Sequence, residues 1–262
     1  MSGVRLEVEV HLVTGATTSV RNVIRSVNRA GLQVQDVVLE ALASAEAVIE
    51  EEEKELGVLI IDLGGGTTDV ALFRDGAVWY TGVLPLGGDH ISNDIAVGLR
   101  TPTGDTEELK KRHGCALTAL VREDETVDVP SVGGRKARQL SRHILSEIIQ
   151  PRVEEIFTLV ARDLARAGLQ DVAAAGVVLT GGTSIMPGVP ELAEQIFDVP
   201  ARRGAQSGLS GLADVVQSPI YATGVGLALY GARGHGVVSE THDGSLAQRV
   251  GRRMKEWVGE LF

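Results

Sequence analysis

Residues 60–73 read IIDLGGGTTDVALF, and the order of residue types there decides the fold. Val58 to Ile61 is a short apolar, β-branched run that predicts a buried strand, and Val70 to Phe73 predicts its hairpin partner. Between them Gly64, Gly65 and Gly66 remove every Cβ from the turn, so backbone N–H groups can close around a ligand that accepts many hydrogen bonds. Thr67 and Thr68 add hydroxyl donors. Asp62, at the strand end, is placed to hold a divalent cation through water, since Mg2+ keeps much of its hydration shell. Phosphate with Mg2+ is the ligand this composition predicts. A plain hairpin needs one glycine rather than a run of them. No Gly-Lys-Ser/Thr follows, which excludes a P-loop, and a strand follows in place of a helix, which excludes a dinucleotide-binding turn.

The bulk numbers narrow the class. A chain of 262 residues has room for one large domain or a few small ones, with a real core. A formal net charge of −10 argues against broad nucleic-acid binding. Charge is uneven, however: residues 50–56, EEEEKEL, predict a solvated acidic helix end, whereas residues 245–262 are basic. Cys115 stands alone, which excludes an internal disulfide framework, suits a reducing cytoplasm and reads as a small buried hydrophobe. No stretch approaches the roughly 20 apolar residues of a membrane-spanning helix.

Outward from the first turn, VRLEVEVHLV at 4–13 alternates apolar and polar residues and predicts a strand. A helix follows, capped by Thr17 or Ser19, with Val20, Val23, Ile24 and Val27 on one face and Gly31 as its stop. LQVQDVVLE at 32–40 predicts a second strand, and ALASAEAVIEEEE at 41–53 a single Ala-rich helix. After the glycine hairpin come a strand, AVWYTGVLPL, and GGDHISNDIAVGLR, a helix whose two leading glycines allow close backbone packing against the turn. From Thr101 the chain is more charged, with two short strands and a long amphipathic helical region that Pro151 breaks or kinks. The α/β alternation then resumes: a strand, a glycine turn, a helix starting near Pro187, and a small-residue helix in SPIYATGVGLALYGA. Residues 232–244 read as a flexible linker, and His235 and His242 within it lack partner ligands for a metal.

The second glycine turn, VVLTGGTS at 177–184, repeats the logic of the first, with Gly181, Gly182, Thr183 and Ser184 presenting bare backbone and hydroxyls at a strand end. Two such turns followed by GVGLALYG resemble the actin, Hsp70 and sugar-kinase superfamily, whose nucleotide lies between two related lobes. The resemblance implies that 62–69 is the second phosphate loop, 180–184 the adenosine loop, LEALASAEAVI the first connecting helix and 222–231 the second. It also places Glu40 where active members orient the attacking water. RHGCAL, VPSVGGR and GVVLTGGTS, with MSGVRLEVEVHLVTG at the start, resemble more narrowly the FtsA family of bacterial cell-division proteins, over residues 1–231. That family implies an α/β fold of actin-like (ribonuclease H-like) lobes that binds ATP with Mg2+, polymerises, and works among other divisome proteins. It further implies binding the tail of the tubulin-like FtsZ and tethering the FtsZ ring to the inner membrane at the septum.

By the same resemblance, residues 1–14 are the last strand of a family-specific subdomain, 15–56 a remnant of the first lobe, and 57–104 with 172–222 the second lobe. Residues 105–171 are its inserted subdomain, which receives the FtsZ tail, and 223–231 the returning helix. The family's opening Asp-x-Gly phosphate loop is not in this sequence. The expectation is therefore a shortened chain or a fragment, with a half-cleft that binds nucleotide poorly. Arg135, Lys136, Arg138 and Arg142 form a basic group suited to an acidic tail, or alternatively a solvated face.

SLAQRVGRRMKEWVGELF at 245–262 is informative by itself. Leu246, Val250, Met254, Trp257, Val258, Leu261 and Phe262 share one helical face, flanked by Arg249, Arg252, Arg253 and Lys255. The pattern predicts an interfacial helix on an anionic membrane surface; a helix packed back on the domain is the alternative, and Gly251 and Gly259 weaken a coiled-coil seam. One such helix binds weakly, and linked copies would bind well. The competing function is an enzyme of the superfamily, an ATPase or a sugar kinase. A kinase needs a substrate-binding acid not identifiable here, and an Hsp70-like chaperone needs a peptide-binding domain for which the tail is too short.

Overall fold

The computed structural model describes residues 7–8, 10–131, 136–206 and 216–233. Its strands are β1 (Val58–Leu63), β2 (Thr68–Arg74), β3 (Ala77–Leu84), β4 (Thr126–Val129), β5 (Arg138–Ser141), β6 (Gly176–Thr180) and β7 (Ala201–Arg203). Its helices are α1 (Thr17–Arg29), α2 (Glu40–Val48), α3 (Glu51–Leu56), α4 (Gly88–Leu99), α5 (Thr103–His113), α6 (Arg142–Arg166), α7 (Val189–Phe197) and α8 (Ala222–Ala232). Five strands form one mixed sheet in the order β3-β2-β1-β6-β7, and β4 and β5 form a separate hairpin.

β1 is buried at every position because both faces of the sheet are covered. On one face Leu59, Ile61, Leu72 and Leu179 pack with Ile91 and Ile95 of α4, Leu145, Ile149, Ile156 and Phe157 of α6, and Leu192 of α7. On the other, Val58, Ile60, Ala71, Phe73 and Val178 pack with Ala41, Ala45 and Val48 of α2 and Ala222 of α8. Each fully buried Leu, Ile or Phe there contributes about 1.5–3 kcal/mol of transfer free energy. α2 and α8 cross closely because they are built of small residues: a Cβ on Gly226 would lie 1.6 Å from the Ala43 carbonyl oxygen.

β1 runs antiparallel to β2, with Asp62 opposite Asp69, and parallel to β6, with Asp62 opposite Thr180. The two glycine turns therefore leave the same end of the sheet on neighbouring strands. That placement follows from the connectivity alone.

Several expectations change. The described part of 4–13 forms no strand; Val8, Val10 and Leu12 are 71, 69 and 80 % exposed, and His11 Nε2 contacts Thr81 Oγ1 at 3.0 Å. Residues 32–39 likewise form no strand. Alternation makes a strand only where a second strand lies in register with it, and neither segment is paired into a sheet among the described residues. The single helix over 41–53 is two. Ile49 and Glu50 are extended, and a capping box, in which the Glu53 carboxylate accepts from the Glu50 N–H at 2.9 Å, opens α3. Pro151 lies within an α6 that is unbroken from Arg142 to Arg166. Cys115 is buried as expected. The terminal helix, nearly all of the linker, and Arg135 lie outside the described residues.

Candidate functional site

The first turn is closed by the Gly64 N–H donating to the Thr67 carbonyl at 3.0 Å, which leaves Gly65, Gly66 and Thr67 exposed at its tip. The glycine pair heading α4 packs onto it. Gly88 N–H donates to Gly64 O at 2.9 Å and Asp89 N–H to Gly65 O at 2.8 Å. A Cβ on Gly87 would sit 2.5 Å from Gly65 O, so the close backbone approach expected of this pair is present. Thr68 is fully buried, and its hydroxyl donates to Leu86 O at 2.8 Å. It braces the turn from within; the hydroxyl left at the lip is that of Thr67.

The second turn starts at Gly181, whose φ of +81° a side chain would strain and whose Cβ would lie 2.4 Å from Leu63 O. Ser184 is fully buried, with its hydroxyl on Gly181 O at 2.7 Å. Gly182 is exposed with open space where its Cβ would be. Thr183 joins the two turns: its Oγ1 donates to Gly64 O at 3.2 Å. The predicted cofactor-binding set thus divides by role. Gly64, Gly65, Gly66, Thr67, Gly181, Gly182 and Thr183 form adjoining lips, and Thr68 and Ser184 hold the backbone of those lips in shape. Thr180, fully buried at the end of β6, has no hydrogen-bond partner for its Oγ1 among the described residues.

Beneath the lips lie carboxylates. Asp62 is buried, and its Oδ2 accepts from Ser44 Oγ of α2 at 2.6 Å and from Thr223 Oγ1 of α8 at 3.4 Å, with the two hydroxyls 2.9 Å apart. Both helices of the crossing therefore reach the strand end that carries the first turn. Burial raises the pKa of Glu40 above the usual carboxylate value, and the charges of Asp69 and Asp62 raise it further. Burial likewise raises Asp69; the Thr67 hydrogen bond opposes this and Asp62 adds to it. Like charges in a partly dry site disfavour one another, so these carboxylates favour a nearby cation. Among the described residues, no three His, Cys, Asp or Glu side chains are grouped to hold a metal ion directly. A cation held by Asp62 through water and by a ligand's phosphates fits that donor set.

A further buried cluster lies behind the turns. Lys110 Nζ donates to Gly88 O at 2.7 Å and to Ser92 Oγ at 2.9 Å, and pairs with Glu107 Oε2 at 2.6 Å. Burial pushes Glu107 up, but the Lys110 and Ser92 hydrogen bonds and the Lys110 charge outweigh it, so its pKa is lowered. A Cβ on Gly88 would lie 3.1 Å from Lys110 Nζ and 2.5 Å from Thr183 Oγ1, which puts this ammonium directly behind the joined turns. The Glu-x-x-Lys spacing within TEELKKRH was its only local signal. Ser44, the one hydroxyl in ALASAEAV, was the comparable signal for the Asp62 contact.

The basic group is partly committed to structure. Arg138, exposed, donates to Leu99 O. Arg142, half-buried, donates to His113 O at 2.8 Å and to Glu125 Oε2 at 2.5 Å. The membrane-facing residues Leu246 to Phe262 lie outside the described residues.

Comparison with known proteins adds identity to this geometry. The family described as cell division protein FtsA matches residues 59–226. The cell division protein FtsA of Pseudomonas aeruginosa is 54 % identical over 231 residues, covering 88 % of this chain and 55 % of that protein. The proteins of the same description from Neisseria meningitidis and Escherichia coli K12 are 42 % and 40 % identical across the whole of this chain, which covers 65 % and 63 % of their lengths. The chain thus spans rather more than half of these relatives. Among solved structures, MreB5 of Spiroplasma citri bound to ADP superposes with a TM-score of 0.67 at 19 % identity, over 84 % of this chain and 67 % of that one. The PilM–PilN pilus biogenesis complex gives 0.60 at 21 %, over 81 % and 57 %, and a MamK double helical filament 0.58 at 14 %, over 84 % and 66 %. At such identities these likenesses concern the fold, which is actin-like.

Proposed function

The chain belongs to the FtsA family of cell division proteins, and from that premise we propose that it binds ATP with Mg2+ at the joined glycine turns, as a structural ligand and assembly switch. The observation that carries this reading is the hydrogen bond from Thr183 Oγ1 to Gly64 O at 3.2 Å, because it sets two backbone cradles side by side above buried Asp62. Gly64, Gly65, Gly66 and Thr67 would take phosphate oxygens, and Gly181, Gly182 and Thr183 would back the nucleoside. Bound Mg2+ would supply charge neutralisation, with Asp62 holding its water shell. Titration calorimetry with Mg-ATP tests the site: binding on the order of micromolar, roughly 8 kcal/mol, supports it, and no heat from demonstrably folded protein overturns it. Glu40, whose raised pKa suits a group that takes a proton, is the residue for orienting a water, and the hydrolysis assigned to it is slow.

The wider role we propose is that of an adaptor that self-assembles and tethers the FtsZ ring to the cytoplasmic membrane at the septum. Self-assembly is supported by family membership and by the filament among the fold's neighbours. FtsZ-tail binding is supported by the basic residues Arg135, Lys136 and Arg138 in an acidic chain, with Arg142, which is paired to Glu125, beside them. Membrane attachment is supported by the amphipathic, cation-flanked pattern of 245–262; no described helix is long and apolar enough to cross a bilayer. Flotation with vesicles containing anionic lipid tests the last point: Trp257→Glu abolishes co-flotation if the terminal helix is the anchor and leaves it intact if it is not.

A further inference from the structure

β7, a strand of three residues at the sheet edge, carries two adjacent arginines that serve opposite faces. Arg203 is in register with Leu179, and Arg202 with Val178. On its face, Arg203 Nε donates to Ser184 O at 2.8 Å and Nη2 to Met186 O at 3.1 Å. These carbonyls lie at the far end of the helical turn Gly182–Ile185 that forms the second glycine lip. On the other face, Arg202 Nη2 donates to Val48 O, the last carbonyl of α2, at 2.9 Å. It also donates to both carboxylate oxygens of Glu53, at 2.8 and 2.7 Å, and Glu53 is the residue whose side chain caps α3. Both arginines are exposed, yet each is directed back at the fold: Arg203 turns its planar fork to two backbone carbonyls of the turn, and Arg202 grips the Glu53 carboxylate and one carbonyl at the elbow. Gly204, next in the chain, lets β7 close on both: its Cβ would lie 2.8 Å from Thr180 Cγ2 and 3.0 Å from Val48 Cβ.

We propose that Arg203 is a positioning residue for the second glycine turn, and that Arg202 ties the same strand to the α2–α3 elbow, so that turn and connecting helix respond together. The nucleotide part of this inference rests on the ATP reading above. Arg203 draws the Ser184 and Met186 carbonyls outward, away from the lip, and places a permanent cation where the carbonyl ends of the turn gather negative charge. The lip then meets its ligand already ordered, and less binding free energy is lost to ordering it.

Amide hydrogen exchange on the unliganded 262-residue chain, paired with Mg-ATP titration, tests both halves. Arg203→Gln is expected to raise exchange at 182–186 by about tenfold or more and to weaken Mg-ATP on the order of tenfold, while the urea midpoint stays near that of the wild type. Arg203→Lys keeps the charge but cannot form two parallel bonds, and is expected to restore only part of the protection. Arg202→Gln is expected to raise exchange at 48–53 and, through β7, at 182–186. Exchange at 182–186 within twofold of wild type in Arg203→Gln, or full protection in Arg203→Lys, overturns the positioning role. Exchange in Arg202→Gln confined to 48–53 overturns the link. If Arg203→Gln does not fold, Arg203→Lys alone decides the first half. Should the wild type give no heat with Mg-ATP, the ATP reading falls while the exchange results still decide the roles of both arginines.

Discussion

The two glycine turns are near twins in composition and differ in what holds them. The first is braced chiefly by backbone: Gly64 and Gly65 carbonyls accept from the N–H groups of Gly88 and Asp89, with the Thr68 hydroxyl on Leu86 O and the Thr183 hydroxyl on Gly64 O added to them. The second is braced by side chains, Ser184 on Gly181 O from inside and Arg203 on Ser184 O and Met186 O from outside. A backbone brace tolerates substitution at most positions and fails only where a Cβ intrudes; a side-chain brace fails whenever its donor is removed. The first turn should therefore be most sensitive at its glycines, and the second at glycines and donors alike.

The largest expected effect lies where both constraints meet. Gly181→Ala places a Cβ 2.4 Å from Leu63 O at a φ of +81°, and should destabilise the chain by about 3 kcal/mol or more. Gly182→Ala, one residue on, meets open space and should shift a urea midpoint little. Equal costs at the two positions would mean that the turn relaxes as a whole and that close approach is not what demands glycine. Gly87→Ala tests the backbone brace in the same way. Its Cβ would meet Gly65 O at 2.5 Å, and the variant should lose about 2 kcal/mol and loosen the first turn only. Loss of protection at 181–186 as well would show that Thr183 transmits the damage.

Why the turns were legible and their surroundings were not is a matter of range. A run of glycines between two apolar segments is a local statement about Cβ atoms, and it survives folding unchanged. The continuous apolar burial of β1 also followed from its own composition. Strand pairing is not local: VRLEVEVHLV and LQVQDVVLE alternate as well as β3 does, yet β3 pairs with β2 and the described residues of those two segments form no strand. The break between α2 and α3 has a local cap in Glu53, but its second support, the Arg202 guanidinium donating to the last carbonyl of α2, comes from some 150 positions away. Ser44 and Lys110 carry only faint local signals for the same reason, since each acquires meaning from Asp62 or Gly88 folding onto it. What a residue contacts across the fold cannot be read from its neighbours in the chain.

Hydroxyls give a middle-sized contrast. Thr68→Val removes the donor to the part-buried Leu86 carbonyl and should cost about 1 kcal/mol or more of stability without a separate effect on Mg-ATP. Thr183→Val removes the bond between the turns, and it should cost about 1 kcal/mol in stability yet weaken Mg-ATP by more than stability alone explains. Paired unfolding and titration measurements separate the two. The same ratio of effects in both variants would erase the division between lip and brace.

The smallest effect concerns charge beneath the lips. Glu40 and Asp69 have folded pKa values raised above their ordinary 4.5 and 3.8, so the folded chain favours their protonated forms relative to the unfolded one. The sign follows: their favourable contribution is complete below the unfolded values and is lost as pH rises through the folded ones. Ionisation at neutral pH therefore works against the fold, and Glu40→Gln should raise the urea midpoint slightly at pH 7 and leave it unchanged at a pH well below 4.5. Millimolar Mg2+ with ATP should shrink the neutral-pH difference, because a cation held near Asp62 supplies the opposite charge that these carboxylates lack. A Glu40→Gln midpoint that falls at pH 7 would reverse the argument: the carboxylate would then be stabilising the lips as an anion, through a partner other than Asp62 and Asp69.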